Sequence, residues 1–205
     1  MLSTRIGEIR SVALSDGSQV TLDTATSIEV EIGRAGRRAL VSSGRARFTV
    51  ANSGRPFIIK AGSSVATAAK AVLDVEDLGS EVRVDVLAGS AMVGEQRAGG
   101  SEVNLAAGES MTAARGRDVK KRSLGSQPDW TRGMLQFDGT PLETAVDLAN
   151  RYSNTKIVLS PGLEKLRVTG AFRAGDIRRL ASALAEAFHL KLARTWTGNL
   201  VLSEH

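Results

Sequence analysis

Two hydrophobic periods divide the chain. Up to about Ala114, apolar and polar residues alternate in short runs, the mark of strands with one buried face. Val12 and Leu14 face Val20 and Leu22 across Asp16-Gly17. Gly accepts a positive φ there and Asp tolerates one, so the spacing predicts a hairpin. The alternation recurs at Ile28, Val30 and Ile32, at Ala46, Phe48 and Val50, and at Phe57 and Ile59. It continues at Val82, Val84 and Val86, then at Met92 and Val93, and at Val103 and Leu105. Gly-containing turns punctuate these runs at GRAGRR, NSGRP, DLGSE and GEQRAGG. SSVATAAKAVLDV (Ser63 to Val75) is open to two readings, because its alanines permit a helix while its neighbours favour strands. Many short strands predict an all-β sandwich, barrel or solenoid-like stack over residues 1–115.

After Trp130 the period becomes helical. Thr140-Pro141-Leu142-Glu143 predicts a helix start, with Thr140 as cap, Pro141 in the first turn and Glu143 closing a capping box. Leu142, Ala145, Val146, Ala149 and Tyr152 then share one face. Lys156 to Leu159 reads as a strand, as do Leu166, Val168 and Phe172, with Gly170 a bulge candidate. Asp176 opens a second helix with an apolar stripe of Ile177, Leu180, Ala181, Leu184, Ala187 and Phe188. Leu190 and Leu192 begin a strand, and Trp196 to Leu202 reads as a hairpin about Gly198-Asn199. An offset of 35 pairs Phe137 with Phe172, Leu142 with Ile177, Ala149 with Leu184, Lys156 with Lys191 and Ile157 with Leu192. Each copy is strand–helix–strand, and one copy cannot cover its own apolar sheet face. The fold class is therefore mixed β and α/β: an all-β subdomain over 1–115, a polar connection over 116–129, and a small duplicated β-α-β subdomain over 130–205.

Composition removes most chemistry. The chain has 205 residues, no Cys, and only His189 and His205, so disulfides, thiolate metal sites and His-based triads are not expected. No apolar run is long enough to span a bilayer, and the start lacks a secretory core. Met1 sits almost against the first strand-like run, which reads as a fragment of a longer protein. The net charge is +5, but only ARGRDVKKR (Ala114 to Arg122) gathers basic residues. Without interleaved aromatics it reads as a solvated loop, and no nucleic-acid partner is expected. GAFRAG (Gly170 to Gly175) precedes a helix headed by acidic Asp176, which disfavours phosphate. Glu76-Asp77 reads as a solvated turn, and Ser15, Asp16 and Ser18 as a hairpin turn. His189 follows a helix, where a cation meets the dipole favourably. Catalytic, cofactor-binding and metal-binding residues are none on this reading. Two surfaces are left: Trp130 and Trp196 for sugar stacking, or a strand edge that accepts a partner's strand. For the second, the candidates are Val168, Thr169, Gly170, Ala171 and Phe172, and Leu200, Val201 and Leu202.

The order of these motifs resembles FecR-like regulators. ALSDGSQVTLDTATSIEV (Ala13 to Val30) resembles their opening hairpin, close to L-x-DGS-x-V-x-L. GRARFTVANSGRPFIIKAG (Gly44 to Gly62) resembles their next segment through Phe48, Val50 and Arg55-Pro56-Phe57. VDVLAGSAMV and LAAGES follow in order, then Trp130, Gly133, Phe137, Pro141-Leu142 and Arg151-Tyr152. Arg45 replaces a usual Glu, and Ala69-Lys70 a usual Gly-Thr. The resemblance implies the periplasmic sensing region of a single-pass inner-membrane protein. A missing N-terminal part would bind a cytoplasmic sigma factor, and a missing helix would cross the membrane. The implied partner is the signalling domain of an outer-membrane TonB-dependent transducer, as in siderophore-linked iron uptake. The implied C-terminal fold is similar to the secretin/TonB short N-terminal domain. The alternative is a carbohydrate or cell-wall binding β-module.

Overall fold

A computed structural model describes residues 1–95, 102–114, 120–124 and 129–204. The chain forms two compact units, Met1–Arg5 with Ile9–Gln127, and Ile6–Glu8 with Pro128–His205. The first contains β1 (Leu2–Ser3), β2 (Arg10–Ala13), β3 (Gln19–Leu22), β4 (Ser27–Gly33), β5 (Gly36–Val50) and β6 (Phe57–Ala61). It continues through β7 (Ser64–Ala68), β8 (Ala71–Asp77), β9 (Glu81–Glu95), β10 (Glu102–Ala106), β11 (Glu109–Ala114) and β12 (Lys120–Ser123). The alanine-rich stretch left open above is thus β7 and β8, where Ala66, Ala68 and Ala71 are buried small residues of a sheet face. Lys120–Ser123, inside the stretch expected to be a connection, pairs with β11. The expected GEQRAGG turn (from Gln96 on) and the basic residues 115–119 lie outside the described residues, as does His205.

Two long strands build the unit. The first half of β5 pairs with β4 and β6, and from Gly44 onward it pairs with β3 and β8. β9 repeats the device, pairing with β8 and β11 up to Gly89 and with β7 and β10 from Ser90. Each corner is a glycine with positive φ, 81° at Gly44 and 73° at Gly89. A Cβ on Gly44 would stand 2.8 Å from Thr26 Cα, and one on Gly89 would stand 3.1 Å from Ala71 Cα and closer still to the Lys70 carbonyl. Only glycine lets the strand turn against its neighbour at that distance.

The two layers enclose one core, in which Leu22, Ile28, Val41, Phe48, Phe57, Leu73, Val93, Leu105 and Met111 are fully buried. The Phe48 and Phe57 rings meet across it at 6.0 Å. Buried among them is Arg37, 1% exposed. Its Nη1 donates to Asp16 Oδ2 at 2.9 Å and to the Ala51 carbonyl at 2.9 Å, and its Nη2 donates to the Arg55 carbonyl. Its guanidinium lies 5.5 Å from the Phe57 ring centroid. The outer face of the second layer carries a charge ladder. Arg47 forks onto Asp74 across the strands at 2.6 and 2.9 Å, Arg45 bonds Asp23, and Arg83 bonds Asp85 two residues along the same strand at 2.9 Å, with Glu76 in register between Arg45 and Arg83. Opposite charges that face each other across neighbouring strands, as Arg47 and Asp74 do, stabilise the sheet.

The second unit opens with a 3-10 turn, Trp130–Arg132, which buries Trp130. Then come β13 (Met134–Pro141), α1 (Leu142–Asn150), β14 (Ile157–Leu159), β15 (Arg167–Arg173), α2 (Ile177–Ala187), β16 (Lys191–Arg194) and β17 (Leu200–Ser203). β13 pairs antiparallel with β15, and β17 lies between β14 (parallel) and β16 (antiparallel). This is strand–helix–strand twice, closed by a final strand. The repeat partners Phe137 and Phe172 stack on each other, rings 6.0 Å apart and tilted 40°.

Three local expectations change. No capping box forms: Thr140 belongs to β13, its Oγ1 accepting from the Asp138 N–H at 3.3 Å, and Pro141 caps without a side-chain bond. The first helical amide, of Leu142, donates instead to the Leu166 carbonyl at 2.7 Å, so the residue just before the strand that pairs with β13 supplies the cap. The register slip lies on Asp138-Gly139, opposite Thr169, rather than at Gly170. Gly170 makes room for the Phe172 ring, whose nearest atom would stand 3.2 Å from an added Cβ. Ala187, placed on the apolar stripe, is exposed, because α2 ends there.

Candidate partner-binding site

Most of the residues singled out for chemistry have local structural roles. Asp16 Oδ1 accepts the Ser18 N–H at 3.0 Å, its Oδ2 accepts the Ser18 hydroxyl at 2.9 Å, and Ser18 Oγ in turn accepts the Ala51 N–H at 3.0 Å. Burial would push the Asp16 carboxyl up, but the hydrogen bonds from Arg37 and Ser18, with the nearby guanidinium charge, outweigh it and hold it below its ordinary value. Glu76 sits in the charge ladder, whereas Asp77 Oδ1 accepts the Gly79 N–H at 2.8 Å in the following turn, so the two carboxylates do not converge. His189 is exposed just beyond α2, at φ 52°. Asp176 caps α2 through the Arg179 N–H at 3.3 Å, occupying the position an anion would need. Among the described residues no cluster of three or more His, Asp or Glu could hold a metal, and no helix is long and apolar enough to cross a membrane.

Trp130 is 4% exposed and Trp196 97% exposed, so they do not form a shared stacking platform. Trp196 stands on a tight turn: the Thr195 N–H donates to the Asn199 carbonyl at 2.9 Å, and the Asn199 N–H donates to Thr195 Oγ1 at 3.0 Å.

The two strand-addition candidates differ. Leu200, Val201 and Leu202 lie in β17, paired with Ile157–Leu159 on one flank and with Leu192–Arg194 on the other. That central strand has no free edge, a position the sequence could not distinguish from an outer strand. Val168, Thr169, Gly170, Ala171 and Phe172 lie in β15, which among the described residues pairs only with β13. Thr169 and Ala171 are exposed, Val168 is buried, and Phe172 is half-buried against Phe137. Beside β15 runs a groove of about 400 Å³ whose other wall is the first half of α2. Residue spacing gave no sign of this groove, because Met134 of β13, far earlier in the chain, also lines it.

Residues 1–92 match the family described as FecR protein. Two crystal structures of candidate anti-sigma factors from Parabacteroides distasonis ATCC 8503 share the fold. One, at 2.50 Å, has TM-score 0.77 and 21% identity, and the likeness covers 100% of this chain and 98% of that one. The other, at 1.65 Å, has TM-score 0.76 and 23% identity over 100% and 98%. No curated protein matches.

Proposed function

We propose that this chain, whose residues 1–92 match the FecR family, is the sensing region of a membrane-bound sigma-factor regulator, exposed to the periplasm and without enzymatic activity of its own. The observation that carries this reading is the FecR match over residues 1–92. It is supported by the fold shared along the whole chain with the two candidate anti-sigma factors, and by the local structural roles of Asp16, Ser18, Asp77 and Asp176. The partner is the signalling domain of an outer-membrane TonB-dependent transducer. β15, Val168–Phe172, is the edge that would take its strand, since backbone pairing gives affinity without a deep pocket. Binding would alter the accessibility of the membrane-proximal part of the regulator, and that change would free the sigma factor.

Calorimetric titration with the signalling domain of the transducer encoded beside this protein tests the reading. Binding tighter than about 100 μM, the range of weak specific contacts, is the expected result. Absence of heat and of co-elution at that concentration would sink it.

A further inference from the structure

The groove beside β15 has a definite chemistry. Its lining includes the apolar Met134, Phe172 and Leu180 and the charged Arg173, Asp176 and Arg179. Both arginines are exposed, and no carboxylate pairs with either side chain in the described structure. The acidic residue of the groove, Asp176, turns its Oδ1 to the Arg179 backbone N–H and so serves the helix end. Two guanidinium groups thus line a trough of mixed polar and apolar walls that meets β15 at Ala171–Arg173, the end of a strand with one unpaired edge among the described residues. Each part alone would be ordinary. Together they match an extended segment: its backbone meets β15, its apolar side chains enter the trough, and its alternate carboxylates meet the arginines, which bind carboxylates bidentately.

We propose that the β15–α2 groove binds an acidic, extended segment of the partner, with Arg173 and Arg179 selecting its charge. This rests on the reading above for the partner's identity, though not for the chemistry of the groove. A segment of the opposite charge would leave two like-charged pairs close together, so the arginines reject as well as attract.

The probe is a fluorescein-labelled peptide of alternating Val and Glu, with a Val and Lys peptide as control, titrated into the full chain at low and high salt. The Val-Glu peptide is expected to bind, to weaken as salt rises, and to shift amide resonances over 168–183; the Val-Lys peptide is expected not to bind. The double variant Arg173→Gln and Arg179→Gln should weaken binding about tenfold or more at an unchanged melting temperature, since both side chains are exposed. Ala171→Pro, which removes an edge N–H and stiffens the strand, should weaken it as well. Equal binding of both peptides, resonance shifts confined to other strands, or wild-type affinity in the arginine variant would overturn the proposal. The same variants titrated with the transducer's signalling domain separate the two ideas. If wild type and arginine variant bind that domain equally, the groove fails and the partner reading survives. If the Val-Glu peptide occupies the groove but the domain does not bind at all, the reverse holds.

Discussion

Arg37 is the residue on which the first unit's local geometry converges. It joins the hairpin turn at Asp16, the loop carbonyls of Ala51 and Arg55, and the Phe57 ring. Removing one partner of a buried ion pair leaves the other charge uncompensated. Arg37→Ala is therefore expected to cost about 3–5 kcal/mol in urea unfolding, far more than loss of an exposed arginine. The pH dependence has a definite sign. Because the folded state holds Asp16 below its ordinary 3.8, its contribution is full above that value and is lost as pH falls through the lowered one. Asp16→Asn should lower the melting temperature at neutral pH and shrink the further drop between neutral pH and about pH 3. The turn at Asp16-Gly17 was legible, because its cause lies within four residues. Its ion pair was not: Arg37 is 21 positions away, in a stretch whose composition reads as a solvated turn.

At the scale of elements, side chains complete what the backbone leaves open. Asn150, last residue of α1, accepts the Ile157 N–H at 2.8 Å and donates to the Ile157 carbonyl at 2.9 Å, pairing with the first residue of β14 as a strand neighbour would. Lys156 Nζ donates to the Asn150 and Ser153 carbonyls, both at 2.6 Å, placing a cation at the carboxyl end of the helix. Asn150→Ala strands both groups of Ile157 and should cost about 1–3 kcal/mol, read as a lower midpoint in thermal unfolding. Gly89→Ala, which forces a side chain into the corner of β9, should cost about 1–3 kcal/mol from the backbone conformation alone, with steric contact added to it. The strands and both helices could be read from apolar period, because burial imposes that period locally. The helix cap at Leu142 could not, since its acceptor, Leu166, comes from across the unit.

At the scale of the molecule, the passage from strands alone to strand–helix–strand was written in the change of period. Which strand of the repeat is central was not, because β14 and β17 are both short and apolar, and their places are set by partners that lie far apart in sequence. The site followed the same rule: β15 was visible as a strand, while its edge and the groove beside it arise from pairing order. One consequence of the division is optical. Trp130, Tyr152 and Trp196 all lie in the second unit, so its unfolding alone sets the tryptophan emission while the β unit stays dark. The two indoles are also opposites, one sealed and one bare. Iodide should quench the Trp196 component and spare Trp130, and Trp196→Phe should abolish the quenchable fraction while changing stability by no more than about 0.5 kcal/mol. The protein carries its own pair of lamps, one reporting whether the second unit is folded and the other what approaches the turn at Trp196.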